Sequence, residues 1–143
     1  MKKLKFIIID ENLEFRNAFK AFLLDQYDAV IIGEASNAKD LPQIKGIIRM
    51  ADIIFIDLMM TNKSGIALAK ELLWFYHHSL KIIAITMQVE KVYLITLIEA
   101  GFKGCIFKNE LPLHCDKALY SVLSGGFYFP DEIQFGYVNR LEY

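Results

Sequence analysis

The chain has 143 residues, 55% of them hydrophobic, with 16 basic and 17 acidic side chains and a formal net charge of −1. That is one domain's worth of chain with a short surplus, and enough apolar material for a sizeable core. The scattered basic residues argue against a broad nucleic-acid footprint, no apolar stretch approaches the roughly 20 residues that cross a bilayer, and the first nine residues are too short and strand-like for a signal peptide.

Apolar runs alternate with amphipathic segments along the chain. A first strand is predicted at Lys5–Asp10. A helix follows at Leu13–Asp25, with Phe15, Phe19, Phe22 and Leu23 on one face at the 3.6-residue period. Asp10 or Asn12 could cap it. A second strand is predicted at Ala29–Glu34. The second helix is expected at Ala38–Ile48, with Pro42 in its first turn, where a missing N–H costs little. The third strand is expected at Asp52–Ile56, and the third helix at Ile66–Tyr76 after the loop Thr61–Ser64.

The fourth strand is predicted at Lys81–Ile85, and the fourth helix at Glu90–Ala100 with Gly101 as its terminating glycine. Val92, Tyr93, Leu94, Ile95, Leu97 and Ile98 make that helix unusually apolar for a surface element, which fits either an interface or core packing. The fifth strand is predicted at Gly104–Phe107 and the fifth helix at Leu113–Ser124, stopped by Gly125 and Gly126. Strict βα alternation with continuously apolar strands predicts a doubly wound α/β domain, its parallel sheet covered on both faces. This domain is expected to span residues 1–126. Residues 127–143 then form an extension, either a packed helix begun at Pro130-Asp131-Glu132 or a partner-binding tail. Cys105 and Cys115 have no metal-ligand spacing and are expected as reduced core thiols of a cytoplasmic protein.

The chemistry lies where the strands end. Asp10 and Glu11 follow Phe6-Ile7-Ile8-Ile9, Asp57 follows Ile53-Ile54-Phe55-Ile56, Thr86 follows Ile82-Ile83-Ala84-Ile85, and Lys108 follows Cys105-Ile106-Phe107. Each alone has an ordinary explanation: a capping turn, loop chemistry, β-propensity or a solvated charge. Together they fall at the C-terminal edge of the sheet, where doubly wound folds bind ligands. Three carboxylates there repel one another, and a hard divalent cation such as Mg²⁺ relieves the repulsion. Asp57 is the candidate nucleophile for an acyl phosphate. Lys108 would neutralise charge on the phosphoryl oxygens, and the Thr86 hydroxyl would hydrogen-bond the new phosphate.

These residues closely resemble the receiver domain of two-component response regulators, over roughly residues 4–129. Phe6–Glu11 is similar to the family's first strand and acidic pair, and Ile54–Met60 to its phosphoacceptor strand, with Gly65 at the loop glycine. Ile83–Thr86 resembles the switch-hydroxyl strand, and Glu99–Lys108 the lysine strand. Ala118–Pro130 further resembles the LuxR-like class, in which a helix-turn-helix DNA-binding domain follows. The expectation here is a receiver without that domain, and no direct DNA binding.

The resemblance implies a flavodoxin-like, five-stranded sheet of order 2-1-3-4-5. It implies that Asp57 accepts phosphate from the phosphohistidine of a sensor histidine kinase or phosphotransfer protein. Asp10, Glu11, Asp57 and the Met59 carbonyl would hold Mg²⁺, with Glu11 a direct ligand and Asp10 acting through water. A downstream protein of unknown identity or a second copy of the chain would meet the switching face, and no membrane is involved.

Three departures stand out. Glu11 replaces a common Asp, Thr61 stands where the family usually has Pro, and Cys105 stands where many members carry a switch aromatic. The last two motivate a competing expectation, a constitutive interaction module with a vestigial phosphorylation site. A Mg²⁺-dependent phosphatase is a more remote alternative, because Asp57-Leu58-Met59 lacks the second Asp of such enzymes. Met59 and Met87 either pack at the rim of the site or screen an acyl phosphate from water.

Overall fold

The computed structural model describes residues 2–76, 79–87, 93–131 and 133. Five strands, β1 (Leu4–Ile9), β2 (Ala29–Ala35), β3 (Ile53–Asp57), β4 (Ile82–Thr86) and β5 (Gly104–Phe107), form one sheet of order β2-β1-β3-β4-β5. Every pair is parallel, as the continuously apolar runs require. The helices are α1 (Leu13–Gln26), α2 (Gly65–Tyr76), α3 (Leu94–Ala100) and α4 (Leu111–Leu123). Among the described residues none is long and apolar enough to cross a membrane.

Alternate side chains of each strand face opposite ways and build two cores. Phe6, Ile8, Phe55, Ile83, Ile85 and Ile106 pack with Phe19 and Leu23 of α1 and with Cys115, Ala118, Leu119 and Val122 of α4. Ile7, Ile9, Ile54, Ile56, Ile82, Ala84 and Cys105 pack on the other side, against α2, α3 and the segment after β2. Both cysteines are buried and free, as expected of core thiols.

The second expected helix is not an α-helix. Positions 38–50 form two short 3₁₀ segments, Ala38–Gln43 and Lys45–Met50, with Ile44 at φ −115° and ψ 7° between them. Pro42 lies inside the first segment and not in an opening α-turn. It supplies no N–H and its ring crowds the carbonyl four residues earlier, so an i to i+4 ladder is broken there. Burial of Ile44 and Ile48 on the sheet anchors the segment instead.

Elsewhere the boundaries move by only a few residues. Asn12, not Asp10, caps α1, its side chain accepting from the Phe15 N–H at 3.0 Å. The described part of the fourth expected helix starts at Leu94, and Glu90 to Val92 lie outside the described residues. It ends as expected at Gly101, whose φ of 100° is left-handed and suits glycine. Asp57 and Thr86 are the last residues of their strands and not the first loop residues. The ladder continues past Asp57, with the Leu58 N–H donating to the Ile85 carbonyl at 3.2 Å.

Beyond α4 the chain returns along the free edge of β5. The Cys105 N–H donates to the Tyr128 carbonyl at 2.9 Å, and the Tyr128 N–H donates to the Lys103 carbonyl at 3.0 Å. Phe129 and Ile133 pack on the α2–α3 side of the core. The rest of the expected extension lies outside the described residues.

Candidate functional site

Strand register assembles the site. Ile9 is level with Ile56, Asp57 with Ile85, and Thr86 with Phe107. Asp10, Asp57, Thr86 and Lys108 therefore fall within about one residue of a common edge, although up to 98 positions separate them in sequence. Side-chain parity then sorts them. Asp10, Asp57 and Lys108 continue the alternation of Ile8, Phe55 and Ile106, which face α1 and α4. Thr86 continues that of Ile82 and Ala84, which face the other core.

The three residues of one parity meet. The Lys108 ammonium lies 2.8 Å from Asp10 Oδ2 and 3.4 Å from Asp57 Oδ2. Its nitrogen also sits 4.3 Å from the centre of the Phe15 ring of α1, so an aromatic face and two carboxylates hold it together. Asp10 is fully buried and Asp57 is 5% exposed. Burial, reinforced by the negative charge of Asp10, pushes the Asp57 carboxyl up to about 6; Lys108 and the Met59 N–H, which donates to Asp57 Oδ1 at 3.2 Å, work the other way without cancelling it. One ammonium between two buried carboxylates leaves negative charge over. Thr86 is also buried, and its hydroxyl has no hydrogen-bond partner among the described residues.

Above the carboxylates lies an open cleft of about 370 Å³, lined by Glu11, Asn12, Asp57, Met59, Met87 and Lys108. Met59 and Met87 are 58% and 46% exposed, so they stand at the mouth as rim residues. Glu11 does not point at its acidic neighbours. Its Oε1 accepts from the Thr61 N–H at 2.8 Å, and its Oε2 from the Thr61 hydroxyl at 2.5 Å. Among the described residues, no three acidic, histidine or cysteine side chains converge as a metal cage. The donor chemistry nonetheless suits a hard divalent cation. The donors are oxygens, the cleft admits waters, and Asp57 is held in an environment short of positive charge.

The response regulator receiver domain model matches residues 6–119. The chain belongs to that family. It is 32% identical over 105 residues to the transcriptional regulatory protein YdfI of Bacillus subtilis, an alignment covering 73% of this chain and 48% of that one. It is 26% identical over 138 residues to the oxygen regulatory protein NreC of Staphylococcus epidermidis, covering 96% of this chain and 62% of that one. The chain thus spans about half to three fifths of the curated relatives it matches. The isolated receiver domain of RcsB from Salmonella enterica, solved with the phosphomimetic BeF₃⁻, superposes with a TM-score of 0.75 at 22% identity, covering 91% of this chain and 95% of that one. Members of the family are regulators, generally not classical enzymes; receiver domains interact with histidine kinases and bind Mg²⁺ at the phosphorylation site.

Two contributors to the receiver's site have no signal in the strand-end pattern. Arg16 of α1 is buried; its guanidinium donates to the Asp10 carbonyl and reaches Glu34 Oε1 at 2.7 Å, while Lys20, one turn on, reaches Glu34 Oε2 at 2.6 Å. This cluster ties the end of β1 to β2 and α1. The i, i+4 pairing of two basic residues on a Phe-rich helix was the available clue. Gly65, read in sequence only as a loop glycine, opens α2 against the Asp57 backbone. A Cβ there would stand 2.2 Å from the Asp57 carbonyl oxygen, so any side chain would force the two backbones apart.

Proposed function

We propose that this chain is a phosphoacceptor receiver of two-component signalling in which Asp57 takes a phosphoryl group from a kinase or phosphotransfer-protein phosphohistidine. The observation that carries this is the Lys108 ammonium held between Asp10 and Asp57 under an open cleft. A buried carboxylate left short of positive charge has reason to bind cation and phosphoryl group together. One Asp57 oxygen attacks phosphorus, the P–O bond forms as the P–N bond to imidazole breaks, and the departing imidazole takes up a proton. Lys108 offers its ammonium to the equatorial oxygens as their charge gathers. The Thr86 hydroxyl, without a hydrogen-bond partner among the described residues, can donate to a phosphoryl oxygen, which would draw it from its place in the α2–α3 core. Asp10, Asp57, the Met59 carbonyl and, once turned inward, Glu11 are the residues that would hold Mg²⁺. That ion supplies charge neutralisation at the phosphoryl oxygens.

Movement of Thr86 would bias the face formed by α3, β5 and α4 toward a partner, either a downstream protein or a second copy of the chain. Purified protein given acetyl phosphate and Mg²⁺ should gain the mass of one phosphoryl group, and Asp57→Asn should not. Wild type that stays unmodified with donor and metal present would overturn the proposal. One observation favours a narrower role, the constitutive module. Cys105 is fully buried and offers no aromatic side chain to follow Thr86. A phosphorylated Asp57 with no amide shifts on α3, β5 or α4 would select that role.

A further inference from the structure

We infer that Thr61 is a latch on the site: it holds the Glu11 carboxylate away from Asp10 and Asp57 and so limits how readily the cleft takes a divalent cation. The inference rests on the proposed cation-dependent phosphoacceptor and concerns the regulation of that same site. Both Glu11 oxygens are engaged by one residue 50 positions away, through a backbone N–H at 2.8 Å and a hydroxyl at 2.5 Å. Two donors on one carboxylate fix its direction far better than one. Thr61 is itself exposed, but the loop carrying it is anchored at both ends. It leaves β3 directly after Asp57, and it enters α2 through the Gly65 N–H bond to the Leu58 carbonyl at 3.0 Å. The longer reach of a glutamate allows its carboxylate to extend from the end of β1 to this loop.

The consequence is a choice between two arrangements of charge. With the latch closed, Lys108 is the cation in contact with Asp10 and Asp57 among the described residues, and Glu11 is satisfied elsewhere. With the latch open, Glu11 can swing inward and add a third carboxylate, which is stable there only beside a further cation. A divalent ion therefore competes with the two Thr61 donors for Glu11, and the apparent affinity is lowered by the fraction of time the latch is closed. Valine at position 61 keeps the branched shape and the N–H but removes the hydroxyl. Proline removes both donors.

The test uses the full chain and Mg²⁺ alone as the probe, followed by the amide resonances of Asn12 and Met59 in ¹⁵N-edited NMR. Thr61→Val should bind Mg²⁺ about three- to tenfold more tightly than wild type, the loss of one solvent-exposed hydrogen bond. Thr61→Pro should bind at least as tightly as the valine variant. Thr61→Ser keeps both donors and should match wild type, which guards against a loss of loop structure being read as an effect of the latch. In wild type the Thr61 amide resonance should move upfield as Mg²⁺ saturates, because its carboxylate acceptor departs. Equal Mg²⁺ affinities for wild type and valine variant, in proteins that both accept a phosphoryl group, overturn the latch and leave the phosphoacceptor standing. Weaker binding by the valine variant also overturns it, since Thr61 would then be steering Glu11 toward the ion. Proteins that take up neither Mg²⁺ nor phosphoryl group sink the latch and the proposed function together.

Discussion

Asp57→Asn should make the metal-free protein more stable at neutral pH, an unusual outcome for replacing a buried charged residue. The Asp57 carboxyl is raised from 3.8 to about 6 in the folded chain, by burial first and by Asp10 second. In the unfolded chain it titrates near its ordinary value. A raised carboxyl means that the native state binds the proton more tightly, so stability is greatest below the unfolded value and declines as pH rises through about 4 to 6. Above that window the ionised Asp57 costs the fold roughly 2 pKa units at 1.36 kcal/mol each, about 3 kcal/mol, with the attraction of Lys108 already counted. Asparagine keeps the shape and removes the charge. Relaxation and water entry reduce the gain to about 1–2 kcal/mol, or roughly 3–6 °C in Tm for a chain of this size.

The assay is urea unfolding with a chelator present, at about pH 7.5 and again at about pH 4, where wild type is itself largely neutral at this position. The gain should be present at the higher pH and mostly gone at the lower. A variant no more stable than wild type at the higher pH would refute the electrostatic account of the site, and so would a gain of equal size at both pH values.

The remaining predictions probe the groups around that carboxylate. Lys108→Met removes the ammonium that Asp10 and Asp57 share and should destabilise the protein by about 3 kcal/mol at neutral pH in urea unfolding; a loss under about 1 kcal/mol would mean the two carboxylates are compensated elsewhere. Gly65→Ala forces a Cβ against the Asp57 carbonyl and should cost about 1–3 kcal/mol while slowing phosphorylation by acetyl phosphate; an unperturbed rate and stability would show that α2 can back away freely. Glu34→Gln addresses acid stability. Burial works to raise the Glu34 carboxyl, but Lys20 and Arg16 together outweigh it and hold the group below its ordinary value. A depressed carboxyl stabilises the fold above its unfolded pKa, and that contribution disappears as pH falls through the folded one. The glutamine variant should therefore lose stability at neutral pH and show a flatter acid limb in a Tm-against-pH profile, and an unchanged limb would discount the cluster.

The sheet, its parallel sense and the polar residues at its C-terminal edge were legible in the order of residue types alone. A strand buried on both faces must be apolar throughout, so Asp10, Asp57, Thr86 and Lys108 are conspicuous where each run ends, and βα alternation places those ends on the same side. Hydrophobic spacing predicts an α-helix at Ala38–Ile48 where the chain forms two 3₁₀ segments, because spacing cannot weigh the ring of Pro42 against the pull of Ile44 and Ile48 toward the core. How the edge residues divide is a matter of three-dimensional packing: Asp10, Asp57 and Lys108 in one charged cluster, Thr86 on the other face with its hydroxyl unpartnered among the described residues, and Glu11 turned outward to Thr61. Those outcomes depend on strand register and on contacts between segments as many as 98 positions apart, and a linear pattern of residue types carries no record of either.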